Sequence, residues 1–141
     1  DENWTKYAPV PGIVELRQAI VNFLKKEHGL SYSPEEIIVG CGAKQSIFIT
    51  LQVLIDSGDE VIIPAPYWTS YPDQVLLAGG KPVIIQTDDK AGFKMTPQQL
   101  EKAITHKTKM LMLNSPSNPT GACYTKEELK AFAYYLIERK I

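Results

Sequence analysis

Apolar residues recur along the chain in two alternating patterns, one typical of helices and one typical of buried strands. From Ile13 to Lys26 they return every three or four positions, which predicts a helix that Gly29 ends. Further helices are predicted at Ala43–Ile55, Tyr71–Ala78, Thr96–Ile104 and from Thr125 onward. Short runs that are apolar throughout predict strands at Ile37–Val39, Val61–Ile63, Pro82–Ile85 and Met110–Leu113.

The order of these elements indicates the fold class, because each predicted strand is followed by a helix. Strands without polar alternation are typical of a parallel sheet that helices cover on both faces. We therefore predict an α/β fold with a mostly parallel, helix-covered sheet.

Composition and charge exclude several classes of protein. The chain has 141 residues, a net charge of -1 and 44% hydrophobic residues, which is ordinary for a globular domain. No basic region indicates nucleic-acid binding, and no apolar run approaches the length of a membrane span. Two distant cysteines, Cys41 and Cys123, indicate no disulfide framework, so we expect small buried thiols and a cytoplasmic protein. His28 and His106 have no partners at metal-ligand spacing, so no metal site is predicted.

The turn around Gly40 and Gly42 is the first candidate for chemistry. It lies between a predicted strand and a predicted helix, and Lys44 follows in the first helical turn. Backbone N–H groups at a helix start favour an anion such as phosphate. Any strand-to-helix turn uses small residues, however, so an ordinary turn is the alternative.

Two further candidates follow directly after predicted strands, where open α/β sheets bind their ligands. The segment Pro64–Pro72 holds Tyr67, Trp68 and Tyr71, which could stack on a flat ring. The segment Asn114–Gly121 is rich in turn formers, and Asn118 offers both a hydrogen-bond donor and an acceptor. The alternatives are aromatic residues that pack on the surface and an elaborate turn.

Taken in order, the segments of the chain resemble the fold-type-I pyridoxal-phosphate-dependent aminotransferases, and most closely the aspartate aminotransferase branch of class I. The matching segments are Tyr7–Arg17, Gly42–Gln45, Gly58–Val61, Pro66–Tyr71 and Asn118–Gly121. The resemblance implies that residues 1–141 are the N-terminal portion of the cofactor-binding large domain. The remainder of that domain and the small domain are then expected outside this chain.

The resemblance also implies roles for particular residues. Gly42, Ala43 and Lys44 match the turn that binds the phosphate of pyridoxal 5'-phosphate. Trp68 matches the aromatic residue that stacks on the pyridine ring and borders the substrate. Asn118 matches the asparagine that hydrogen-bonds the 3-hydroxyl oxygen of the cofactor and helps to hold the substrate carboxylate.

Two further expectations from the resemblance concern assembly and backbone. Tyr7 matches a tyrosine that reaches the phosphate in the neighbouring subunit, so the parent protein is expected to be a homodimer. Cis peptide bonds are expected before Pro66 and Pro119.

The implied activity is the transfer of an amino group between an amino acid, with aspartate expected, and a 2-oxo acid. The Schiff-base lysine, the aspartate facing the pyridine nitrogen and the carboxylate-binding arginine are expected outside this chain. No catalytic residue is therefore predicted here, and the chain alone is expected to be inactive. A carbon–sulfur lyase, another class I enzyme and a non-catalytic relative that keeps the fold are the alternatives.

Overall fold

The structure is a computed structural model that describes residues 5–141, and these divide after Thr50 into two compact units. The first unit contains α1 (Val14–His28), a short 3-10 helix (Pro34–Glu36) and the start of α2 (Ala43–Leu54). Gly29 ends α1 with φ 68°, and its N–H donates to the carbonyl of Lys25 at 3.1 Å. The predicted position and ending of this helix are confirmed.

The predicted strand Ile37–Val39 is wrong, because this segment lies outside any sheet of the described residues. Its backbone is extended at Ile37, and the N–H of Val39 donates to the carbonyl of Pro11 at 3.0 Å. A strand requires a neighbouring strand as well as apolar residues, and here the backbone partner is an isolated loop carbonyl. The apolar face predicted for α1 is only partly covered, because Leu16 and Phe23 are exposed at 43% and 57% and Val21 alone is buried in that helix.

Gly12 is the glycine of the first unit whose replacement is expected to be most costly. It has φ 96°, and an added Cβ would lie 2.9 Å from both Cβ and Cγ2 of Val39. Gly29 also has a positive φ, of 68°, but its Cβ would meet nothing within 4 Å. Replacing Gly12 by Ala therefore adds a steric overlap to the backbone strain, whereas Gly29→Ala adds the strain alone.

We expect Gly12→Ala to lower the stability of the protein by about 2–4 kcal/mol and Gly29→Ala by about 1 kcal/mol. Denaturant titration of the two variants beside the unsubstituted protein measures the difference. Equal losses in the two variants would show that contact with Val39 contributes nothing.

A three-stranded sheet forms the centre of the second unit. Its strands are β1 (Glu60–Pro64), β2 (Lys81–Ile85) and β3 (Thr108–Leu111), in the order β2-β1-β3 with all pairings parallel. Ile62 of β1 lies opposite Val83 on one side and Leu111 on the other. The connecting helices are α3 (Ser70–Leu77) and α4 (Pro97–Ala103), and α5 (Lys126–Arg139) follows β3. The predicted α/β fold with a parallel sheet is confirmed.

The central strand β1 is buried on both faces. Ile62 is fully buried in a cluster with Leu100 of α4 and Phe132 of α5. Because side chains alternate along a strand, Val61 and Ile63 point to the opposite face, and both are also fully buried. This double burial explains why Val61, Ile62 and Ile63 are all apolar.

Local sequence signals set the starts of α4 and α5. Thr96 accepts a hydrogen bond from the N–H of Gln99 at 3.2 Å, and the Gln99 side chain accepts from the N–H of Thr96 at 2.9 Å. Thr125 and Glu128 form the same reciprocal pair at 3.2 and 2.7 Å. Each pair satisfies two backbone donors that the helix leaves without an internal partner, so the predicted starts are confirmed.

Glu60 anchors the amino ends of the strands. Its side chain is buried and accepts a hydrogen bond from Thr105 Oγ1 at 2.6 Å and from Lys81 Nζ at 3.0 Å. The Thr105 hydroxyl, and then Lys81, hold the pKa of the Glu60 carboxyl below its ordinary value of 4.5. The carboxylate is thereby favoured in the folded state.

A carboxyl group whose pKa is lowered by folding stabilises the protein above its unfolded pKa and loses that contribution in acid. We expect stability to fall as the pH drops through the ordinary pKa of a glutamate towards the lower pKa of folded Glu60, and Thr105→Val to make this fall shallower because it removes the largest cause of the shift. Thermal unfolding at a series of pH values measures the slope. An unchanged slope in Thr105→Val would contradict the assignment.

Candidate functional site

A pocket in the second unit lies at the carboxyl ends of β1 and β3, where open α/β sheets bind ligands. Ile63 and Pro64 of β1 form part of its wall, together with Met112 and Leu113 directly after β3. Its cavity volume of about 20 Å³ admits a water-sized group. The hydrogen-bonding side chains that line it are Tyr67, Tyr71, Asn114, Ser117, Asn118 and Tyr124.

Asn118, which is predicted to bind the cofactor, is one of the residues that line this pocket. Its backbone N–H donates to Oδ1 of Asn114 at 2.9 Å, and the residue is exposed. Its side-chain amide forms no hydrogen bond with the residues that the structure describes. A donor and an acceptor are therefore both available at the edge of the pocket.

The loop that carries Asn118 is closed by its own backbone. The N–H of Ser117 donates to the carbonyl of Ala122 at 2.9 Å, and the N–H of Gly121 donates to the carbonyl of Ser117 at 2.7 Å. The bond between Asn118 and Pro119 is cis, as predicted, and the bond between Ser115 and Pro116 is cis without having been predicted.

Trp68 borders the pocket through another aromatic residue rather than lining it. Its ring meets that of Tyr71 edge to face, with centroids 5.5 Å apart and planes at 89°. Tyr71 is buried and does line the pocket. The predicted cis bond before Pro66 is present in the same segment.

The glycine turn belongs to the first unit and leads into α2 at Ala43. Gly42 has φ 83°, and an added Cβ would meet nothing within 4 Å. The side chain of Gln45 folds back to accept from the N–H of Cys41 at 2.5 Å, which fixes the turn. Gly42, Ala43 and Lys44 are all exposed, so the start of the helix faces open space.

Tyr7 also belongs to the first unit, ahead of α1, and its side chain is fully exposed. The backbone at Tyr7 forms neither helix nor strand.

The prediction that both cysteines are buried is wrong. Cys41 and Cys123 are free and exposed in this chain. Cysteine is buried on average because it is small and apolar, but each of these lies in a turn or loop whose backbone geometry decides its exposure.

Phe93 and Tyr124 line the pocket although the sequence predicts neither as a site residue. Asn114, which lines it beside Asn118, begins the predicted segment Asn114–Gly121. Phe93 has φ 55°, which is unusual for a residue other than glycine. The sequence gives no signal for this conformation, because glycine is the residue type that usually adopts a positive φ and the glycine here is the neighbouring Gly92.

Other kinds of site find no support in the part of the chain that the structure describes. Within residues 5–141, no three His, Cys, Asp or Glu residues are grouped as metal ligands would be. None of the helices over the same range is long and apolar enough to cross a membrane.

The fold and the pocket agree with what known proteins show. The sequence model of the family "Aminotransferase class I and II" matches residues 1–141, and the chain belongs to this family. It is 51% identical over 140 residues to an aspartate aminotransferase of Bacillus sp. strain YM-2, covering 99% of this chain and 36% of that protein. It is 53% identical over 137 residues to an aspartate/prephenate aminotransferase of Cereibacter sphaeroides, covering 97% and 34%.

Solved structures give the same answer. The aspartate aminotransferase from Thermus thermophilus with maleate superposes with a TM-score of 0.94 at 49% identity, over 97% of this chain and 36% of that one. An aromatic aminotransferase from Pyrococcus horikoshii superposes with a TM-score of 0.96 at 42% identity, over 100% and 38%. The chain thus spans about a third of the length of the relatives it matches, and the predicted family is confirmed.

Proposed function

We propose that residues 1–141 are the N-terminal portion of the cofactor-binding large domain of a pyridoxal-phosphate-dependent aminotransferase. The parent protein would move an amino group between aspartate and a 2-oxo acid. The observation that supports this most is similarity along the whole chain, at about half identity, to proteins named aspartate aminotransferase. The relative solved with maleate supports a dicarboxylate substrate, since aspartate and maleate are both four-carbon dicarboxylates.

In each unit taken by itself, the residues that the resemblance assigns to the cofactor have chemistry that suits it. Gly42 leaves open space at the start of α2, where backbone N–H groups and the helix dipole favour a phosphate. Trp68 offers a ring for stacking, and the side-chain amide of Asn118 can donate to an oxygen of the cofactor ring. When bound, pyridoxal phosphate supplies an electron sink for chemistry at the amino acid's α-carbon. The protein groups would bind it, fix its plane and polarise its ring.

We further propose that the parent protein is a homodimer in which Tyr7 contributes to the phosphate site of the neighbouring subunit. The full exposure of the Tyr7 side chain supports this, because a residue that reaches a second subunit has to leave its own. A cytoplasmic location is proposed on the two exposed free thiols, which a reducing compartment keeps unpaired.

The full-length parent protein tests the activity. Purified with pyridoxal phosphate, it is expected to show visible absorption from bound cofactor and to convert aspartate and 2-oxoglutarate to oxaloacetate and glutamate. A coupled dehydrogenase assay for oxaloacetate measures the turnover. Bound cofactor with release of a thiol, pyruvate and ammonia from a cysteine conjugate, but no amino transfer, would instead show a lyase. Absence of cofactor binding would show a non-catalytic relative.

A second substrate class is favoured by one comparison, the superposition on an aromatic aminotransferase. Measuring the glutamate formed from 2-oxoglutarate, with either phenylalanine or aspartate as the amino donor, separates the two. Higher kcat/KM for phenylalanine than for aspartate would overturn the assignment of aspartate while leaving the aminotransferase reaction intact.

A further inference from the structure

Asn114 and Asn118 face the same pocket and are joined by one hydrogen bond. Oδ1 of Asn114 accepts from the backbone N–H of Asn118 at 2.9 Å, and Asn114 is half-buried whereas Asn118 is exposed. Pro119 follows directly and has no N–H to donate. The contact with Asn114 therefore holds the peptide group between Ser117 and Asn118, just before the proline.

The ends of the loop are fixed to the core by different contacts. The N–H of Tyr124 donates to Ser115 Oγ at 3.0 Å, and the Tyr124 hydroxyl accepts from the N–H of Met95 at 2.8 Å. The Tyr124 ring meets that of the buried Phe132 edge to face, with centroids 5.3 Å apart. These contacts fix the base of the loop. The backbone bonds of Ser117 with Ala122 and Gly121 close its tip, and Asn114 adds the contact made with Asn118 itself.

We propose that Asn114 is a positioning residue that fixes the direction of the Asn118 side chain. This rests on the proposed function, in which Asn118 binds the cofactor and substrate. A hydrogen bond to the backbone N–H restrains rotation of the peptide before Asn118, and a misplacement of about 1 Å in a binding group is enough to weaken its contacts strongly.

The chemistry of the contact predicts which replacements preserve it. The Asn118 N–H needs only an oxygen acceptor, which the carboxylate of Asn114→Asp presents at the same position. Asn114→Ala removes the acceptor and leaves the N–H to water. Asn22→Ala is the matched control, because that side chain accepts a hydrogen bond from Gln18 at 3.1 Å on the exposed face of α1.

Amide hydrogen exchange in the full-length apoprotein, read by NMR at Asn118, tests the contact without any cofactor. Its intrinsic exchange rate depends on residues 117 and 118, which none of these variants changes. We expect exchange at Asn118 to accelerate about tenfold in Asn114→Ala and to stay within about threefold of the unsubstituted rate in Asn114→Asp and Asn22→Ala. An unchanged rate in Asn114→Ala, or an accelerated rate in Asn114→Asp, overturns the inference.

A double-mutant cycle tests whether the contact acts through the Asn118 side chain. Asn114→Ala is expected to weaken binding of pyridoxal phosphate about five- to tenfold in the otherwise unsubstituted protein, and less than about twofold when Asn118→Ala is already present. Equal weakening in both backgrounds shows that Asn114 acts elsewhere and overturns the inference. A parent protein that binds no pyridoxal phosphate at all overturns the proposed function, and the exchange rates then still decide whether Asn114 holds Asn118.

Discussion

Replacing Asn118 by Ala in the full-length protein is expected to lower kcat/KM for aspartate on the order of 100-fold. The side-chain amide stands at the pocket and is not engaged by the described residues, so it can make the contacts proposed for it with the ring oxygen of the cofactor and with the substrate carboxylate. Removing one such donor from an active site typically costs this much. Steady-state kinetics with aspartate and 2-oxoglutarate measures the loss.

The same variant has a spectroscopic consequence. A donor to the ring oxygen stabilises its negative charge, so its loss is expected to move the pH-dependent transition of the cofactor's visible absorption to higher pH. Thr120→Ala is a suitable comparison within the same loop, because its hydroxyl only accepts from the N–H of Ala122 at 3.2 Å. If Asn118→Ala and Thr120→Ala behave alike, Asn118 has no special part in binding the cofactor.

Replacing Trp68 by Ala is expected to weaken binding of pyridoxal phosphate on the order of 100-fold, because a large aromatic surface is lost from one face of the ring. Trp68→Phe keeps a stacking ring and is expected to stay within about fivefold of the unsubstituted protein. Equilibrium dialysis against the cofactor measures both affinities.

The expected loss of affinity in Trp68→Ala comes from lost stacking on the cofactor ring and not from a weakened fold. Trp68 is only partly buried, and its edge-to-face contact is with Tyr71, which is itself held in the core. Loss of affinity in Trp68→Ala with unchanged thermal stability of the apoprotein therefore supports stacking. A parallel loss of stability would instead assign Trp68 a structural part.

The sequence predicts best what neighbouring residues decide among themselves. The starts of α4 and α5 follow from Thr96 with Gln99 and from Thr125 with Glu128, pairs only three positions apart. The apolar run Val61–Ile63 predicts a buried strand, because its side chains on both faces of the strand are apolar. Ile37–Val39 has the same apolar character and forms no strand, since pairing depends on a partner that the run itself cannot encode.

The site divides in a similar way. Asn118 and Trp68 are predicted through a resemblance of motifs, and the structure places Asn118 at the pocket and Trp68 beside it. The contacts that support them are not predictable from local patterns. The hydroxyl of Tyr124 meets the backbone of Met95, 29 positions away, and only the folded chain brings the two together.

The stabilising contacts of Glu60 and the pocket lie at opposite ends of β1, which matters for engineering. Glu60 and its partners occupy the amino end, whereas Pro64 borders the pocket at the other, five strand residues that span roughly 13–17 Å. Substitutions more than about 10 Å apart usually combine additively. A library of substitutions around Glu60 that improves tolerance to acid can therefore be screened for unfolding alone. Its best substitutions can then be added to variants of the pocket without a second screen for activity.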